Sequence, residues 1–320
     1  MIVITGAAGF IGSCLVSRLN QRGHKDLILV DDISKKDCRN LQDKFFDQYI
    51  DRLQFQDWFK DHATSIKFVF HIGARTDTTE INEWLFDQLN YNYSQRLWEL
   101  CADYDVPLLY ASSAATYGNG ERGYSDDHGL IPMLQPLNPY GWSKQKMDQW
   151  VLVQEKTPSR WAGFKFFNVF GPNEYHKGRM ASVIFHAFHQ IHNTGRMKLF
   201  KSNEPGIADG EQKRDFIYVM DVLDVLMDFY DHVRPNGIYN LGTGKANSFL
   251  HLVEHTFEAL GLAPKIEFID MPQDLMRTYQ NYTCADMQKL HQAGYVKPMS
   301  PFGQSIQEYV QYYLSKAVYY

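Results

Sequence analysis

The sequence predicts an α/β protein with a doubly wound parallel (Rossmann-type) sheet and a smaller, interwoven α/β substrate domain. Buried strands are indicated by the short apolar runs MIVITG, DLILVDD, FVFHIGA and PLLYASS. Helical segments alternate with these runs, and one of them, between FVFHIGA and PLLYASS, is predicted over about 82–104. The residues that share one face of the first helix are Ile11, Leu15, Val16 and Leu19. Alternation of strands and helices is typical of a parallel sheet, in which ligands bind at the carboxyl edge of the strands.

The organisation of the chain changes after residue 168. Polar and glycine-containing stretches at 171–179 and 201–214 predict long loops, which compact domains seldom carry without a function. We expect a dinucleotide-binding domain over 1–168 plus about 215–245 and a substrate-binding domain over about 169–214 plus 246–320. Because no linker or repeat separates them, the second domain is expected to be woven into the first.

Composition and charge exclude several classes of function. The 320 residues are 44% hydrophobic and 22% charged, which is ordinary for a globular enzyme. The net charge of −5 gives no reason to expect a nucleic acid partner or a polybasic membrane anchor. No apolar run is long enough to span a bilayer, and the first strand begins too close to Met1 to leave room for a signal peptide. We therefore expect a cytoplasmic protein.

The spacing of cysteines and histidines does not predict a metal site. The four cysteines, which form no C-x-x-C pair, are Cys14, Cys38, Cys101 and Cys284. Their spacing disfavours both a zinc cluster and a disulfide framework. Three histidines recur at three-residue spacing on one predicted helix, namely His186, His189 and His192. A zinc site usually needs further ligands and a catalytic acid, so we expect no metal.

A glycine motif between the first strand and the first helix predicts a dinucleotide-binding turn. The motif G-x-x-G-x-x-G covers residues 6–12. Gly6 permits a tight turn, Gly9 lets the backbone approach a pyrophosphate, and Gly12 lets the helix pack closely on the strand. The helix N-terminus adds free N–H groups and a favourable dipole. Asp31 follows after about 20 residues, as this fingerprint requires.

The residues after the second strand leave the choice of cofactor open. Asp31 could accept hydrogen bonds from the adenosine ribose, which favours NAD. Three cations follow closely and could pair with a 2′-phosphate, which favours NADP; they are Lys35, Lys36 and Arg39. A solvated charged loop is the alternative interpretation of these cations.

Three further residues predict a hydride-transfer site. Tyr140 and Lys144 form a Y-x-x-x-K pair on one face of a helix, which Asn138 can cap. A free tyrosine has a pKa of about 10 and is a poor base at neutral pH, but a nearby ammonium lowers that pKa. Ser113, at the end of the YASS strand, can donate to the substrate oxygen that gains charge. In this arrangement the tyrosine moves the proton and a nicotinamide takes the hydride.

The chain resembles the extended short-chain dehydrogenase/reductases that act on nucleotide sugars, and among them the ADP-L-glycero-D-manno-heptose 6-epimerases. The matching runs spread from residue 1 to about 300 and include TGAAGFIGS, LLYASSAATYG, NPYGWSK, FFNVFGPNEYHKGRMASVIFH, KRDFIYVMDV and GIYNLGTG. The runs ASSAATYG and HKGRMAS are the most particular to these epimerases. The resemblance implies inversion at C6 of an ADP-heptose, in lipopolysaccharide core precursor synthesis, through a transient 6-keto intermediate and with NADP that stays bound.

The resemblance also implies site residues, carried over by position. The expected cofactor contacts are Gly6, Gly9, Phe10, Ile11, Gly12, Asp31, Asp32, Lys36, Arg52, Ile72, Gly73, Ala74, Arg75, Thr76, Asn90, Tyr140, Lys144, Val169 and Lys177. The expected substrate contacts are Ser113, Asn168, Arg179, His186, Phe200, Lys201, Ser202, Asn203, Arg214 and Tyr279. Catalysis is assigned to Ser113, Tyr140, Lys144 and Lys177, with Lys177 either a second acid/base or only a phosphate ligand. A homo-oligomer is also implied, a pentamer if the chain follows the resembled family.

Two arginines and one loop depart from the resembled pattern. Arg75 replaces a small residue near the cofactor, and Arg179 stands where a small hydroxyl residue is expected. The segment 204–212 is long. These departures bear on substrate contacts and on the choice between NADP and NAD, and leave the chemistry as it is.

Three other functions compete with this interpretation. A nucleotide-sugar 4,6-dehydratase needs an additional acid and base beside the serine, whereas Ser113 is followed by Ala114 and Ala115. A UDP- or GDP-sugar 4-epimerase is opposed only by the loops between 171 and 214. A non-catalytic dinucleotide sensor is disfavoured because such a protein has little reason to keep a serine, a tyrosine and a lysine in catalytic order.

Overall fold

A seven-stranded parallel sheet forms the centre of the protein in the computed structural model, which describes residues 1–272 and 279–320. The strands are β1 Ile2–Thr5, β2 Leu27–Asp31, β3 Gln48–Asp51, β4 Phe68–His71, β5 Leu108–Ser113, β6 Trp161–Phe166, β7 Asn168–Phe170, β8 Met197–Phe200, β9 Lys213–Tyr218, β10 Gly237–Leu241, β11 Ala246–Ser248 and β12 Ile266–Ile269. The central sheet has the order β3-β2-β1-β4-β5-β6-β10. The winding direction therefore reverses between β1 and β4, and the predicted doubly wound sheet is confirmed.

Helices cover both faces of the central sheet. Their bounds are α1 Phe10–Gln21, α2 Phe55–His62, α3 Glu83–Phe86, α4 Tyr93–Asp103, α5 Pro139–Val151, α6 Val183–Thr194, α7 Val219–Asp231, α8 Phe249–Ala259, α9 Gln288–Gln292 and α10 Phe302–Glu308. The predicted cap of α5 is present, because the Asn138 side chain accepts a hydrogen bond from the Gly141 N–H at 2.8 Å. This cap fixes the start of the helix that carries Tyr140 and Lys144.

Two hydrophobic clusters pack against the two faces of the sheet. Alternate strand residues divide between them, so that Ile4 and Phe70 belong to one cluster and Val3 and Val69 to the other. The first cluster includes α1, α6 and α7, and the second includes α2, α4 and α5. Burial on both faces explains why the strands read as continuous apolar runs rather than as alternating patterns.

Two smaller sheets lie outside the central one. The first has the order β11-β9-β7, and the second pairs β12 with β8. The strand β9, most of which falls within the predicted dinucleotide-binding domain, joins the first of these small sheets, while β10 returns to the central sheet beside β6. The division of the chain into two domains with the stated boundaries stays a prediction.

Two kinds of feature are absent from the part of the chain that the structure describes. No helix there is both long and apolar enough to cross a membrane. No group of three or more histidine, cysteine, aspartate or glutamate side chains there is arranged to hold a metal ion.

Candidate active site

A cavity of about 530 Å³ opens at the carboxyl edge of β1, β2 and β4, at the point where the winding of the sheet reverses. Predicted cofactor residues that line it are Gly6, Gly9, Phe10, Ile11, Gly12, Asp31, Asp32, Arg52, Ile72, Gly73, Ala74, Arg75, Thr76 and Lys177. In doubly wound sheets, this edge is where dinucleotides bind. Most of the residues predicted to contact the cofactor therefore lie together at one place in the fold.

The glycine motif lets the protein backbone come close to the phosphate groups of a ligand. Gly6 has a φ of +68°, and a Cβ on it would come within 2.5 Å of the Gly73 Cα. A Cβ on Gly12 would overlap the Gly6 carbonyl oxygen, so α1 packs against the turn only because position 12 has no side chain. Within the described residues, no side chain caps the N-terminus of α1. Its first N–H groups and its dipole thus face the cavity, an arrangement that fits a pyrophosphate.

Two ion pairs lie at the end of β2. The Asp31 carboxylate, 7% exposed, accepts hydrogen bonds from the N–H groups of Ala8 at 3.2 Å and Asp32 at 2.8 Å, and from the Lys35 ammonium at 3.2 Å. Asp32 pairs with the Arg52 guanidinium at 3.1 Å. Lys35 lines the cavity. Lys36, the predicted contact, is exposed and lies outside the lining.

Asn90 acts on the cavity through its neighbours. It is buried in a π-helical turn, Asp87–Asn92, between α3 and α4. Its side chain accepts from the Arg75 N–H at 2.8 Å and donates to the Arg75 carbonyl at 3.0 Å and to the Ser143 hydroxyl at 2.9 Å. Such turns often occur at functional sites. Here the turn ties the 72–76 segment to the helix that carries Tyr140, and the contact of Asn90 with a cofactor stays a prediction.

A buried string of hydrogen bonds supports the same segment from below. The Gly73 N–H donates to Thr5 Oγ1 at 3.2 Å, and Thr5 Oγ1 lies 2.6 Å from His71 Nδ1. His71 Nε2 lies 2.8 Å from Ser94 Oγ, whose hydroxyl donates to the Asn90 carbonyl. Burial, with a smaller contribution from the charge of Lys144, lowers the pKa of His71 to about 3.

Stability is therefore expected to fall with acidification below pH 6.5. In that range the unfolded chain takes up a proton on His71 that the folded chain does not bind, so the free energy of unfolding decreases as the pH falls. From this side chain we expect a loss of about 2 kcal/mol between pH 7 and pH 5. Urea unfolding at both pH values measures it. His71→Asn should show a smaller difference between the two, and an unchanged difference would contradict the assignment.

Ser113, Tyr140 and Lys144 come together between β5 and α5. Ser113 is the last residue of β5, and its hydroxyl is a neighbour of the half-buried Tyr140 phenol. Burial raises the pKa of Tyr140, and the Ser113 hydroxyl partly offsets this increase. The Lys144 ammonium donates to the Ala111 carbonyl at 2.7 Å. Burial lowers the pKa of Lys144 to about 8, against the opposing charge of Asp148. The set can hold and move a proton near neutral pH.

Lys177 brings a second ammonium to the cavity. It lies in the 3₁₀ turn Tyr175–Met180, and its Nζ is 5.3 Å from the centre of the Phe10 ring. Burial lowers the pKa of Lys177, while the charge of Glu174 raises it. Glu174 is itself buried and accepts hydrogen bonds from the Ser182 N–H at 2.6 Å and the Tyr309 hydroxyl at 2.9 Å. The turn that carries Lys177 is thus fixed at its base.

The predicted substrate residues lie outside this cavity, and three of them, Asn168, Phe200 and Arg214, are on strands of the smaller sheets. Arg214 on β9 is 6% exposed, and its guanidinium lies between the rings of Phe249 at 5.5 Å and Tyr279 at 5.3 Å. Lys201 forms an exposed ion pair with Asp270 at 2.9 Å. Five of the others are exposed or half-buried, namely Asn168, His186, Phe200, Ser202 and Asn203. Val169, a predicted cofactor contact on β7, is half-buried and also outside the cavity lining.

The two arginines that depart from the resembled pattern meet at one acid. The Arg179 guanidinium lies 3.5 Å from the Asp77 carboxylate and donates to the Thr79 hydroxyl, while Arg75 lies 4.0 Å from Asp77 and 3.5 Å from Glu80. Asp77 and Met180 both line the cavity. Arg179 therefore joins the loop after β4 to the turn of Lys177, and its structural contact is with protein groups.

Comparison with known protein families agrees with this geometry. A family model described as "NAD dependent epimerase/dehydratase family" matches residues 2–242. The chain belongs to this family. An ADP-L-glycero-D-manno-heptose-6-epimerase of Fusobacterium nucleatum is 44% identical, with 99% of this chain and 98% of the relative covered. One of Nitratidesulfovibrio vulgaris strain DP4 is 43% identical, with 99% of each covered. The predicted kinship with these epimerases is confirmed.

A solved structure extends the comparison to the fold. The crystal structure of the Helicobacter pylori ADP-L-glycero-D-manno-heptose-6-epimerase has a TM-score of 0.81 and 28% identity, and the match covers 97% of this chain and 95% of that one. The protein is therefore an isomerase of the NAD-dependent epimerase/dehydratase type, and a nicotinamide dinucleotide is its cofactor. The alternatives of a 4-epimerase and a dinucleotide sensor are not favoured.

Within this epimerase/dehydratase family, the turn after Ser113 argues against dehydration. The 3₁₀ turn Ala114–Tyr117 follows the serine directly and carries no carboxyl group. Elimination of water needs an acid and a base in addition to the tyrosine, so the absence of a carboxyl from this turn leaves the site equipped for reversible oxidation.

Sequence reasoning missed several residues of the cavity lining. These are Thr5, Val30, Asp77, Leu89, Tyr93, His176 and Met180. Leu89 and Tyr93 carried a usable signal, because they flank Asn90 on a helix predicted to follow β4. Asp77 directly follows the predicted 72–76 segment, and its role depends on Arg179, about 100 residues away in sequence.

Proposed function

We propose that the protein inverts C6 of an ADP-heptose, converting ADP-D-glycero-D-manno-heptose to ADP-L-glycero-D-manno-heptose for lipopolysaccharide core precursors. The observation that carries the proposal is the second ammonium, Lys177, in the wall of the cavity that holds the glycine turn. A simple dehydrogenase needs one proton-transfer group, whereas inversion of a carbinol carbon through a ketone needs proton transfer at two positions. The identity of 43–44% to ADP-heptose epimerases supports the choice of substrate.

The chain's own residues divide the chemistry among them. When bound, the nicotinamide takes the hydride from C6 and returns it. Tyr140, as phenolate, removes the hydroxyl proton, and the Ser113 hydroxyl donates to the oxygen as charge develops there. The Lys144 ammonium stabilises the phenolate. The 6-keto intermediate then rotates within the site. When the hydride returns, the Lys177 ammonium donates a proton to the oxygen at its second position.

Two cations support NADP as the bound form. Both Asp31 oxygens already accept hydrogen bonds, from Ala8, Asp32 and Lys35. Arg52 and Lys35 both line the cavity next to it. A 2′-phosphate supplies the anion that these side chains can bind, while Asp31 remains the group that NAD would use. Extraction of the nucleotide and mass spectrometry distinguish the two.

Arg214 supports a diphosphate as the anchor of the substrate. A guanidinium buried between two aromatic rings is costly without an anion, and its planar fork matches phosphate oxygens. Burial lowers the pKa of Arg214. The nearby segment 200–203 and Tyr279 complete the expected sugar-nucleotide site, together with Asn168, Arg179 and His186. The proposal also includes a cytoplasmic location. It further includes a homo-oligomer, a pentamer as in the resembled family, and light scattering measures the mass of the assembly.

The proposal is tested by following the sugar during turnover. The purified protein is incubated with an ADP-heptose and, separately, with UDP-glucose and a GDP-hexose, and NMR identifies the carbon that inverts. We expect inversion at C6 of the ADP-heptose only. Inversion at C4 of a UDP- or GDP-sugar would contradict the proposal.

We further expect the protein to purify with its nicotinamide cofactor and to need none added. The reason is that oxidation and reduction occur in one closed cycle, so the cofactor is regenerated at each turnover. Absorbance at 340 nm during the reaction measures this. A steady rise with substrate would instead indicate a dehydrogenase.

A further inference from the structure

A fully buried ion pair lies beneath the catalytic residues. Asp148 on α5 and Lys165 on β6 are both 0% exposed, and their Oδ2 and Nζ atoms are 2.6 Å apart. Neither side chain reaches the cavity or belongs to the proton-transfer set. Replacing a buried ion pair by apolar residues is often neutral or stabilising, so stability alone does not account for it.

Both members of the ion pair form further hydrogen bonds with neighbouring side chains. Asp148 accepts hydrogen bonds from the hydroxyls of Tyr110 at 3.0 Å and Ser112 at 2.6 Å, both on β5. Lys165 donates to Thr116 Oγ1 at 2.7 Å and lies 5.2 Å from the centre of the Tyr117 ring. All the oxygen and nitrogen groups are thus satisfied, and α5 is joined to both strands at one point.

Two of the predicted catalytic residues, Lys144 and Ser113, are closely connected to this pair. Lys144 lies one helical turn before Asp148, on the same face of α5. Ser112, which donates to Asp148, precedes Ser113, and the Thr116 hydroxyl donates to the Ser113 carbonyl at 2.8 Å. The position of the pair therefore sets where the serine on β5 stands relative to the lysine on α5.

The charge of Asp148 also acts on Lys144. Burial disfavours the ammonium of Lys144, and Asp148 is the carboxylate that opposes this effect. Two other ionisable groups are neighbours of Lys144, namely His71 on β4, which the charge of Lys144 affects, and Tyr140, one helical turn earlier on α5. His71 stays neutral because burial depresses its pKa. A buried charge is costly unless it is paired and hydrogen-bonded, and Lys165 is the charged partner of Asp148.

We propose that Asp148, paired with Lys165, is the counter-ion of the Lys144 ammonium and fixes α5 in register with Ser113. Asp148 and Lys165 are thus positioning residues that act through Lys144. The inference deepens the proposed function and rests on it for its catalytic meaning, since the Lys144 ammonium matters there by stabilising the Tyr140 phenolate. The state of Lys144 itself is measurable without turnover.

The first measurement is an NMR titration of protein labelled with ¹³C-lysine, in which the Lys144 signal is assigned by its loss in Lys144→Met. We expect Asp148→Asn to lower the titration midpoint of Lys144 by about one pH unit or more, since an adjacent opposite charge typically shifts a pKa by this amount. Lys165→Met should lower it too, because Asp148 then loses its ion-pair partner. Lys165→Arg keeps the charge and should leave the midpoint near that of the wild type.

Two further variants guard the test against loss of folding and against general effects. Asp148→Asn combined with Lys165→Met leaves no unpaired buried charge, and the same lowering is expected from it. Asp224→Asn breaks a different ion pair, between α7 and Arg18 on α1, with an O–N contact that is also short. It should leave the Lys144 midpoint unchanged. A folded Asp148→Asn protein, or the double variant, with a wild-type midpoint would overturn the inference.

The second measurement is the pH dependence of kcat and KM. In Asp148→Asn the fall of kcat at alkaline pH should begin at lower pH, with KM little changed, so that part of the lost activity returns on acidification. A uniform loss at all pH values would overturn the role assigned to the charge. If the wild type fails to invert an ADP-heptose, the proposed function fails, while the titration still decides the state of Lys144.

Discussion

Replacing Tyr140 with phenylalanine is expected to lower turnover by about 10²-fold or more, in line with the loss of a general acid–base group. The phenol is a neighbour of the Ser113 hydroxyl, and Tyr140 lies one helical turn before Lys144, so removal of the phenol takes away the path by which the substrate proton leaves. The ring remains, and with it the contact to Phe86 at 6.3 Å between ring centres. Steady-state kinetics at saturating substrate measures the effect.

The matched control is Tyr295→Phe, which removes a buried phenol near Asp224, away from the site. Its turnover should stay close to that of the wild type, and its thermal unfolding reports the cost of losing a hydroxyl. A Tyr140→Phe enzyme with near-normal turnover would remove this residue from the mechanism.

Lys177→Met is expected to slow turnover by a comparable factor, about 10²-fold or more, while the substrate still binds. The ketone oxygen occupies different positions in the two half-reactions, because hydride leaves one face of C6 and returns to the other while the nicotinamide stays in place. Tyr140 serves one of these positions. Lys177, half-buried beside Phe10 and with a lowered pKa, is the second group within the cavity wall.

Binding and turnover separate the two roles of Lys177. A proton-transfer group removed by mutation lowers kcat, whereas a phosphate ligand removed by mutation mainly raises KM and the dissociation constant. Calorimetric titration with the substrate and kinetics at saturation give both quantities. Lys198→Met, at an exposed position on β8, serves as the control for loss of a lysine. A large rise in KM with kcat intact would assign Lys177 to phosphate binding alone.

The fold could be predicted from the sequence wherever burial imposes a pattern. The strands β1, β2, β4 and β5 are covered on both faces, so each is a continuous apolar run. The edge strand β3, Gln48–Asp51, has a mixed burial pattern and is absent from the predicted runs. The single helix predicted over about 82–104 is α3, a π-helical turn and α4. That change depends on the bonds of Asn90 to Arg75 and Ser143, which join segments distant in sequence.

The candidate site was predictable to the extent that its chemistry follows local motifs. The glycine turn and the Tyr140–Lys144 pair each occupy one short segment, and the structure places them where such motifs act. Contacts between residues that are distant in sequence have no recognisable motif in either segment. Asp148 and Lys165 read as ordinary charged residues, although they form the buried pair. Arg75 and Arg179 stood out only as departures, and their shared partner Asp77 is visible only in the fold.

The buried string from Gly73 to Asn90 has one further consequence, because its protons have only one arrangement. The Gly73 amide occupies Thr5 Oγ1 as a donor, and the Ser94 hydroxyl points at the Asn90 carbonyl. Since the Ser94 hydrogen is committed, a neutral His71 must carry its hydrogen on Nε2 and donate it to Ser94, which leaves Nδ1 to accept from the Thr5 hydroxyl. Every donor points the same way, and the backbone amide at one end has no second tautomer. The string is therefore closed to proton relay.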